Sequence, residues 1–138
     1  WKGRLLVKGI LHAKDAETCA EMGCDGIVVS NHGGRQVAFG PPTIEALPAI
    51  SKAVTGDMTI ILDSGIRRGA DMLRAKALGA DFAFVGRAFA YGVGAGGEAG
   101  AQRAFDILHL ELVRALGQLG VPSFDEVGPT NLSHLQTT

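Results

Sequence analysis

The chain has 138 residues, 46% of them hydrophobic and 20% charged, with a formal net charge of -1. That length suits one domain with its own core, and the charge balance gives no electrostatic pull toward nucleic acid or anionic lipid. No apolar run approaches the roughly 20 residues that a membrane-spanning helix needs, and the apolar run in the opening "WKGRLLVKGI" is too short, and lacks the cleavage site, for a secretory signal.

In chain order, Leu5–Lys8 is the first strand-like run, apolar without alternation, as in strands covered on both faces. The stretch "AKDAETCAEMG" follows as a helix, with Ala16, Cys19, Ala20 and Met22 on one face and Lys14, Asp15, Glu17, Thr18 and Glu21 on the other. Gly23 marks its left-handed exit. Cys19 and Cys24 match no metal or redox spacing and read as buried, inert thiols. Gly26–Ser30 is the second strand, "TIEALPAISKAV" the second helix, and Thr59–Asp63 the third strand. A third helix, "GADMLRAKALG", ends at Gly79, and Phe82–Gly86 is the fourth strand. The spacing of Ala101, Ala104, Phe105, Leu108, Leu112 and Leu116 predicts a final helix from about Gly97 to Gly117. Beyond Pro122 the tail reads as irregular, with room for a short helix.

The joints "AEMGCDGIVVSN" and "KALGADFAFVGR" repeat one pattern of helix end, glycine, aspartate and strand. The order βαβαβαβα predicts a parallel sheet with right-handed crossovers. The expected organisation is one unit, with strands and intervening helices over 1–96, the last helix over 97–120 and a tail over 121–138. Two architectures fit: a doubly wound open sheet, or a (β/α) barrel of which a chain this short supplies about half.

Polar residues collect just past all four strands: Lys8; Ser30, Asn31 and His32; Asp63, Ser64 and Gly65; Gly86 and Arg87. In either architecture this is the edge where ligands bind. The loops "DSGIRRG" and "GRAF" put glycines and arginines where helices begin, so backbone N–H groups and guanidinium forks can take a phosphate. Either loop alone reads as a solvated glycine turn; on adjacent strands they read together as a phosphate site. A lone strand-end lysine such as Lys8 usually just reaches solvent, so its role depends on what lies opposite.

In "VVSNHGGRQ", His32 is a candidate proton acceptor near neutral pH, and Arg35 can grip a carboxylate through two parallel hydrogen bonds. Gly33 and Gly34 let the chain turn so that both side chains could face one small acid. The plain alternative is a strand-exit turn whose histidine is satisfied by backbone; Arg35 and the phosphate loops argue against it. His12, His109 and His134 lack such company and read as structural or surface groups. No cluster of His, Cys and carboxylates has ligand spacing, so no metal is expected.

The segments "LLVKGI", "VVSNHGGRQ", "DSGIRRGAD", "ALGADFAFVGRAFAYG" and "GGEAG" resemble the C-terminal half of the FMN-dependent α-hydroxy acid oxidases and dehydrogenases. That family includes glycolate oxidase, lactate oxidase and dehydrogenase, and mandelate dehydrogenase. The likeness runs from about Leu5 to Val127. It implies a TIM (β/α)8 barrel, this chain supplying strands five to eight, with FMN as cofactor and an L-2-hydroxy acid oxidised to the 2-oxo acid. It implies His32 as the active-site base, taking either the carbon-bound or the hydroxyl proton, and Arg35 on the substrate carboxylate. Lys8 would sit beside the flavin N1–C2=O edge, where positive charge stabilises the anionic reduced ring. Ser30 would contact FMN; Asp63, Ser64, Gly65, Ile66, Arg67, Gly86 and Arg87 would bind its ribityl phosphate.

Val37 and Ala38 stand where the family commonly carries an acidic residue, and Ser64 replaces a frequent glycine, as in the mandelate dehydrogenase group. The resemblance also implies an N-terminal half carrying substrate-binding tyrosines, another arginine and the aspartate that orients the histidine. Further partners would be an electron acceptor (oxygen, a quinone or a cytochrome) and identical subunits in a tetramer. The expected setting is cytoplasmic, with peripheral membrane association left open by the absent half. Other chemistry of FMN-binding barrels stays open, such as isopentenyl diphosphate isomerisation or inosinate oxidation, which share the phosphate loops but should lack the His32 and Arg35 pairing. So does a catalytically silent half-barrel that self-associates or complements a partner.

Overall fold

The computed structural model describes residues 1–54 and 58–132, so His134 and the end of the expected tail lie outside the described residues. Four strands, β1 (Leu6–Ile10), β2 (Gly26–Val29), β3 (Thr59–Leu62) and β4 (Phe82–Ala83), form a parallel sheet in the order β1-β2-β3-β4. The crossovers carry α1 (Ala13–Glu21), α2 (Thr43–Ala53) and α3 (Gly69–Ala77). This order separates the two architectures left open by the sequence. A doubly wound sheet reverses its strand order at a switch point, whereas these neighbours follow chain order throughout, as in a barrel wall.

In-register pairing fixes which side chains share a face. Val7, Ile27 and Ile60 align across the sheet, as do Ile10, Val29, Leu62 and Ala83. These pack against Ala16, Cys19, Leu47, Ile50, Ile66 and Ala75 in one core. Ile27, Leu47 and Ile50 have no exposed surface, and truncating such a side chain to alanine typically costs about 2–5 kcal/mol. The opposite face aligns Lys8, Val28, Ile61 and Phe82. Toward its edges this face is uncovered: Leu6 is 41%, Phe82 62% and Phe84 47% exposed.

The strand expectations shift in detail. β1 runs on to Ile10, through a register irregularity between Lys8 and Ile10. β4 keeps two residues of the five expected, since only Phe82 and Ala83 pair with β3. The final helix is the larger correction. α4 runs Arg87–Leu119, broken at Gly96 and Gly97, so a helical segment precedes the one read from the sequence. Five glycines in "YGVGAGGEAG" hide that segment, since each lowers helix propensity. Tertiary packing overrides the preference: an added Cβ on Gly92 would stand 2.5 Å from the Gly100 carbonyl oxygen, so only glycines let the two parts of α4 approach this closely.

The later part of α4 covers α3. Leu112, Ala115 and Leu116 pack on Leu73 and Ala77, with Val127 and Phe124 of the tail closing the cluster. The tail forms two 3-10 turns, Phe124–Glu126 and Pro129–Asn131, in place of a short helix. His12 caps α1, its Nδ1 accepting from the Lys14 N–H at 3.2 Å, and His109 stacks on Phe105 at 5.6 Å. Both are structural, as their sequence context suggests.

Candidate functional site at the strand ends

β1, β2 and β3 end side by side, which brings Lys8, Ser30 and Asp63 onto one face although they are far apart in sequence. Lys8 Nζ lies 2.9 Å from Asp63 Oδ2 and donates to Ser30 Oγ at 3.0 Å. The Ser30 hydroxyl donates to Asp63 Oδ2 at 2.6 Å and accepts from the His32 backbone N–H at 3.1 Å. A hydroxyl offers one donor and two acceptor positions, so three partners saturate it. Ser30 is fully buried and could not stay unpaired without cost. Its immediate role is to hold Lys8, Asp63 and the start of the next turn in one arrangement. Burial on its own would raise the Asp63 pKa; hydrogen bonds from Ser30 and Lys8, the Lys8 charge and the Ser64 N–H outweigh it and hold the carboxyl below its ordinary value. Asp63 is therefore an anion committed to Lys8.

The turn after β2 is a short 3-10 segment, His32–Gly34. Asn31 Oδ1 and Ser64 Oγ both accept from the Gly33 N–H at 3.0 Å, tying the turn to the loop after β3. His32 and Ser64 adopt φ of 56° and 77°, a left-handed conformation uncommon outside glycine and often found at functional sites. The His32 ring and the Arg35 guanidinium are exposed and make no side-chain hydrogen bond or ion pair among the described residues. Both remain available to a ligand.

A cleft of about 390 Å3 opens beside this turn, and Gly33, Gly34, Ser64, Gly65, Ile66 and Arg87 are among its walls. Thr43, a buried residue at the start of α2, donates from its hydroxyl to the Ser64 carbonyl at 3.0 Å and fixes that wall. Arg87 donates to the Gly33 carbonyl, linking the β4 loop to the His32 turn. The Ile66 side chain belongs to the core, leaving its backbone for a ligand. Arg67 is exposed, its backbone N–H given to Asp71 Oδ2 at 3.0 Å. Gly86 is the N-cap of α4, and no side chain caps that helix.

The sequence-derived residues thus fall into two groups joined through Gly33. Lys8, Ser30, Asp63 and the His32 backbone form one; Ser64, Gly65, Ile66 and Arg87 form the other. Arg35, Arg67 and Gly86 stand outside the residues lining the cleft. Thr43 escaped the sequence reading because a threonine opening a helix carries no functional signal. The contact of Arg87 with the turn escaped it too, since an arginine after a glycine loop points to an anion and not to a carbonyl 54 residues away.

Fold and site define a class: a segment of barrel wall whose ligand edge carries a Lys–Ser–Asp network, an available histidine and a glycine-rich cleft. Residues 1–134 match the model of the family described as FMN-dependent dehydrogenase, and the chain belongs to that family. It is 46% identical over 132 residues to an L-lactate dehydrogenase of Allorhizobium ampelinum, covering 96% of this chain and 35% of that protein. With an L-lactate dehydrogenase of Stenotrophomonas maltophilia it shares 47% over 135 residues, covering 98% and 36%. The chain spans about a third of the length of the curated relatives it matches. Among solved structures, the monotopic membrane protein (S)-mandelate dehydrogenase gives a TM-score of 0.93 at 40% identity, covering 98% of this chain and 36% of that one. A mutant flavocytochrome b2 with pyruvate bound gives 0.92 at 35% identity, covering 96% and 35%.

The chain is accordingly part of a TIM (β/α)8 barrel, and FMN is the cofactor of its family. The residues present fit that group. Space is open where a Cβ would stand on Gly65 and on Gly86, so an anion can approach both backbones. The uncapped first turn of α4 offers free N–H groups, and Arg67 and Arg87 supply the charge. Among the described residues, no helix is long and apolar enough to cross a membrane, and no group of three or more His, Cys, Asp and Glu could hold a metal ion.

Proposed function

We propose that the parent protein oxidises an L-2-hydroxy acid, of the lactate or mandelate type, to the 2-oxo acid with FMN. The observation that carries this reading is His32, whose backbone is fixed by Ser30 and the Gly33 turn while its ring lies against Gly9 at the end of β1 with no side-chain hydrogen bond among the described residues. Bound FMN supplies the two-electron acceptor. His32 takes the proton that leaves the substrate, and Arg35 holds the substrate carboxylate through its planar fork. Lys8, kept in place by Ser30 and Asp63, presents a fixed positive charge to the flavin ring. Ser30 contacts the flavin and holds that lysine; Asp63, expected at the ribityl phosphate, is engaged by Lys8 and Ser30 and acts through that pair. Ser64, Gly65, Ile66, Arg67, Gly86 and Arg87 hold the ribityl phosphate. The names of the relatives, lactate and mandelate dehydrogenases, support hydroxy acid oxidation over isomerisation or inosinate oxidation.

The test is the visible spectrum of the full-length holoenzyme under anaerobic conditions. L-lactate or (S)-mandelate should bleach the flavin band. His32→Gln should keep the band and lose the bleaching, because the base is removed and the phosphate grip is not. Bleaching of that variant at the unaltered rate would overturn the assignment of the base.

A further inference from the structure

Gly9 lies in the β1 irregularity: Lys8 pairs with Val28 and Ile10 with Val29, so Gly9 is the extra residue of a bulge. Its φ is +101°, a conformation L side chains rarely adopt. A second, independent feature concerns the space beside it. A Cβ on Gly9 would stand 2.9 Å from His32 Cε1 and 3.8 Å from both Nδ1 and Nε2. The ring edge between the two nitrogens therefore rests where any other residue would put its side chain. Bulges next to active sites commonly re-aim or admit a side chain, and this one leaves the imidazole room against the end of β1.

We propose that Gly9 is a positioning residue for His32, its missing side chain and bulged backbone setting where the imidazole stands. This rests on the reading of His32 as the base. Ordinary carbon contacts are about 3.5–4.0 Å, so a methyl group at position 9 must displace the ring by roughly 0.6–1 Å. A reacting group misplaced by about 1 Å can lose about a hundredfold in rate. The displacement acts on the base and leaves the phosphate loops untouched. Because Lys8 is the adjacent residue, the flavin itself reports whether that neighbour has moved.

The experiment uses the full-length holoenzyme with Gly9→Ala, His32→Gly, the pair together, and His32→Gln. In anaerobic stopped-flow, Gly9→Ala should slow flavin reduction by about ten- to a hundredfold, with FMN content and flavin midpoint potential unchanged. Its pH profile for kcat/KM should move as well, since the base has a new environment. In thermal melts, the loss caused by Gly9→Ala should shrink in the His32→Gly background, where the ring is gone. Wild-type reduction by Gly9→Ala overturns the proposal, and so does an equal melting loss with and without the ring. If Gly9→Ala alone does not accumulate, the pair with His32→Gly should accumulate and bind FMN; failure of the pair also overturns it. His32→Gln reduced at the wild-type rate would remove the catalytic reading first, and the Gly9 coupling in melts would then be packing alone.

Discussion

Hydrogen bonds from Ser30 and Lys8, with the Lys8 charge, outweigh burial in setting how Asp63 responds to acid. Asp63 is depressed below its ordinary range in the folded protein, while in the unfolded chain it titrates near about 3.9. The unfolded state therefore binds more protons between those two values. The stabilisation from Asp63 is fully present above about pH 4 and is lost as pH falls through the lower, folded value. Asp63→Asn should flatten the acid limb of a plot of unfolding free energy against pH; a limb as steep as in the wild type would show that other carboxylates dominate. Arg35 belongs to a different balance, since it is exposed and unpaired among the described residues. Arg35→Lys should raise KM for the hydroxy acid and slow flavin reduction, by about tenfold or more, because one ammonium does not reproduce the fork. Unaltered saturation kinetics would count against the carboxylate role. Candidate residues such as His32 and Arg35 were legible from their chemistry and spacing. The Lys8–Ser30–Asp63 contact was not, because its partners lie 22 and 33 residues apart and meet only through parallel register.

At the scale of elements, the continuous apolar runs announced all four strands: β2 and β3 are buried on both faces and have no polar side to show, while β1 and β4 keep apolar side chains on the face left exposed here. Gly23 and Gly79 announced the ends of α1 and α3, and both adopt positive φ just past those helices. The first part of α4 was illegible for the converse reason. Its glycines oppose helix locally and serve packing instead, since the two parts of the broken helix touch backbone to backbone. A Cβ on Gly100 would stand closer to the Gly92 carbonyl oxygen than any real contact allows. Gly100→Ala should therefore be destabilising even though alanine favours helix by about 1 kcal/mol. Overpacking of this kind costs roughly 1–3 kcal/mol or more, so the melting temperature of the full-length enzyme should fall. Gly94→Ala is the control. It lies in the same helical part, an added Cβ meets nothing within 4 Å, and the melting temperature should hold or rise.

For the whole molecule, the question is what these residues can do as a unit by themselves. The cleft beside the His32 turn is lined entirely from within this chain, by the turn after β2, the loop after β3, the starts of α2 and α3, and Arg87. The face bearing Lys8 is not: Leu6, Phe82 and Phe84 remain largely exposed there, and β1 and β4 are both sheet edges. An apolar surface and open strand edges of this kind mark a surface that needs a partner. The relatives are about three times as long, and closing a barrel would bring its remaining strands over that face. The phosphate and the ring of FMN should then draw on different parts of the protein. Produced alone, the 138-residue segment should bind an apolar-surface dye and retain little FMN through gel filtration, whereas the full-length enzyme should stay yellow. Titration by flavin fluorescence gives the finer reading. Weak binding that inorganic phosphate competes away would locate this chain's share of the affinity at the phosphate loops. Retention of FMN by the segment through gel filtration would instead mean that these residues enclose the ring unaided, and that the exposed face is not where the rest of the barrel is needed.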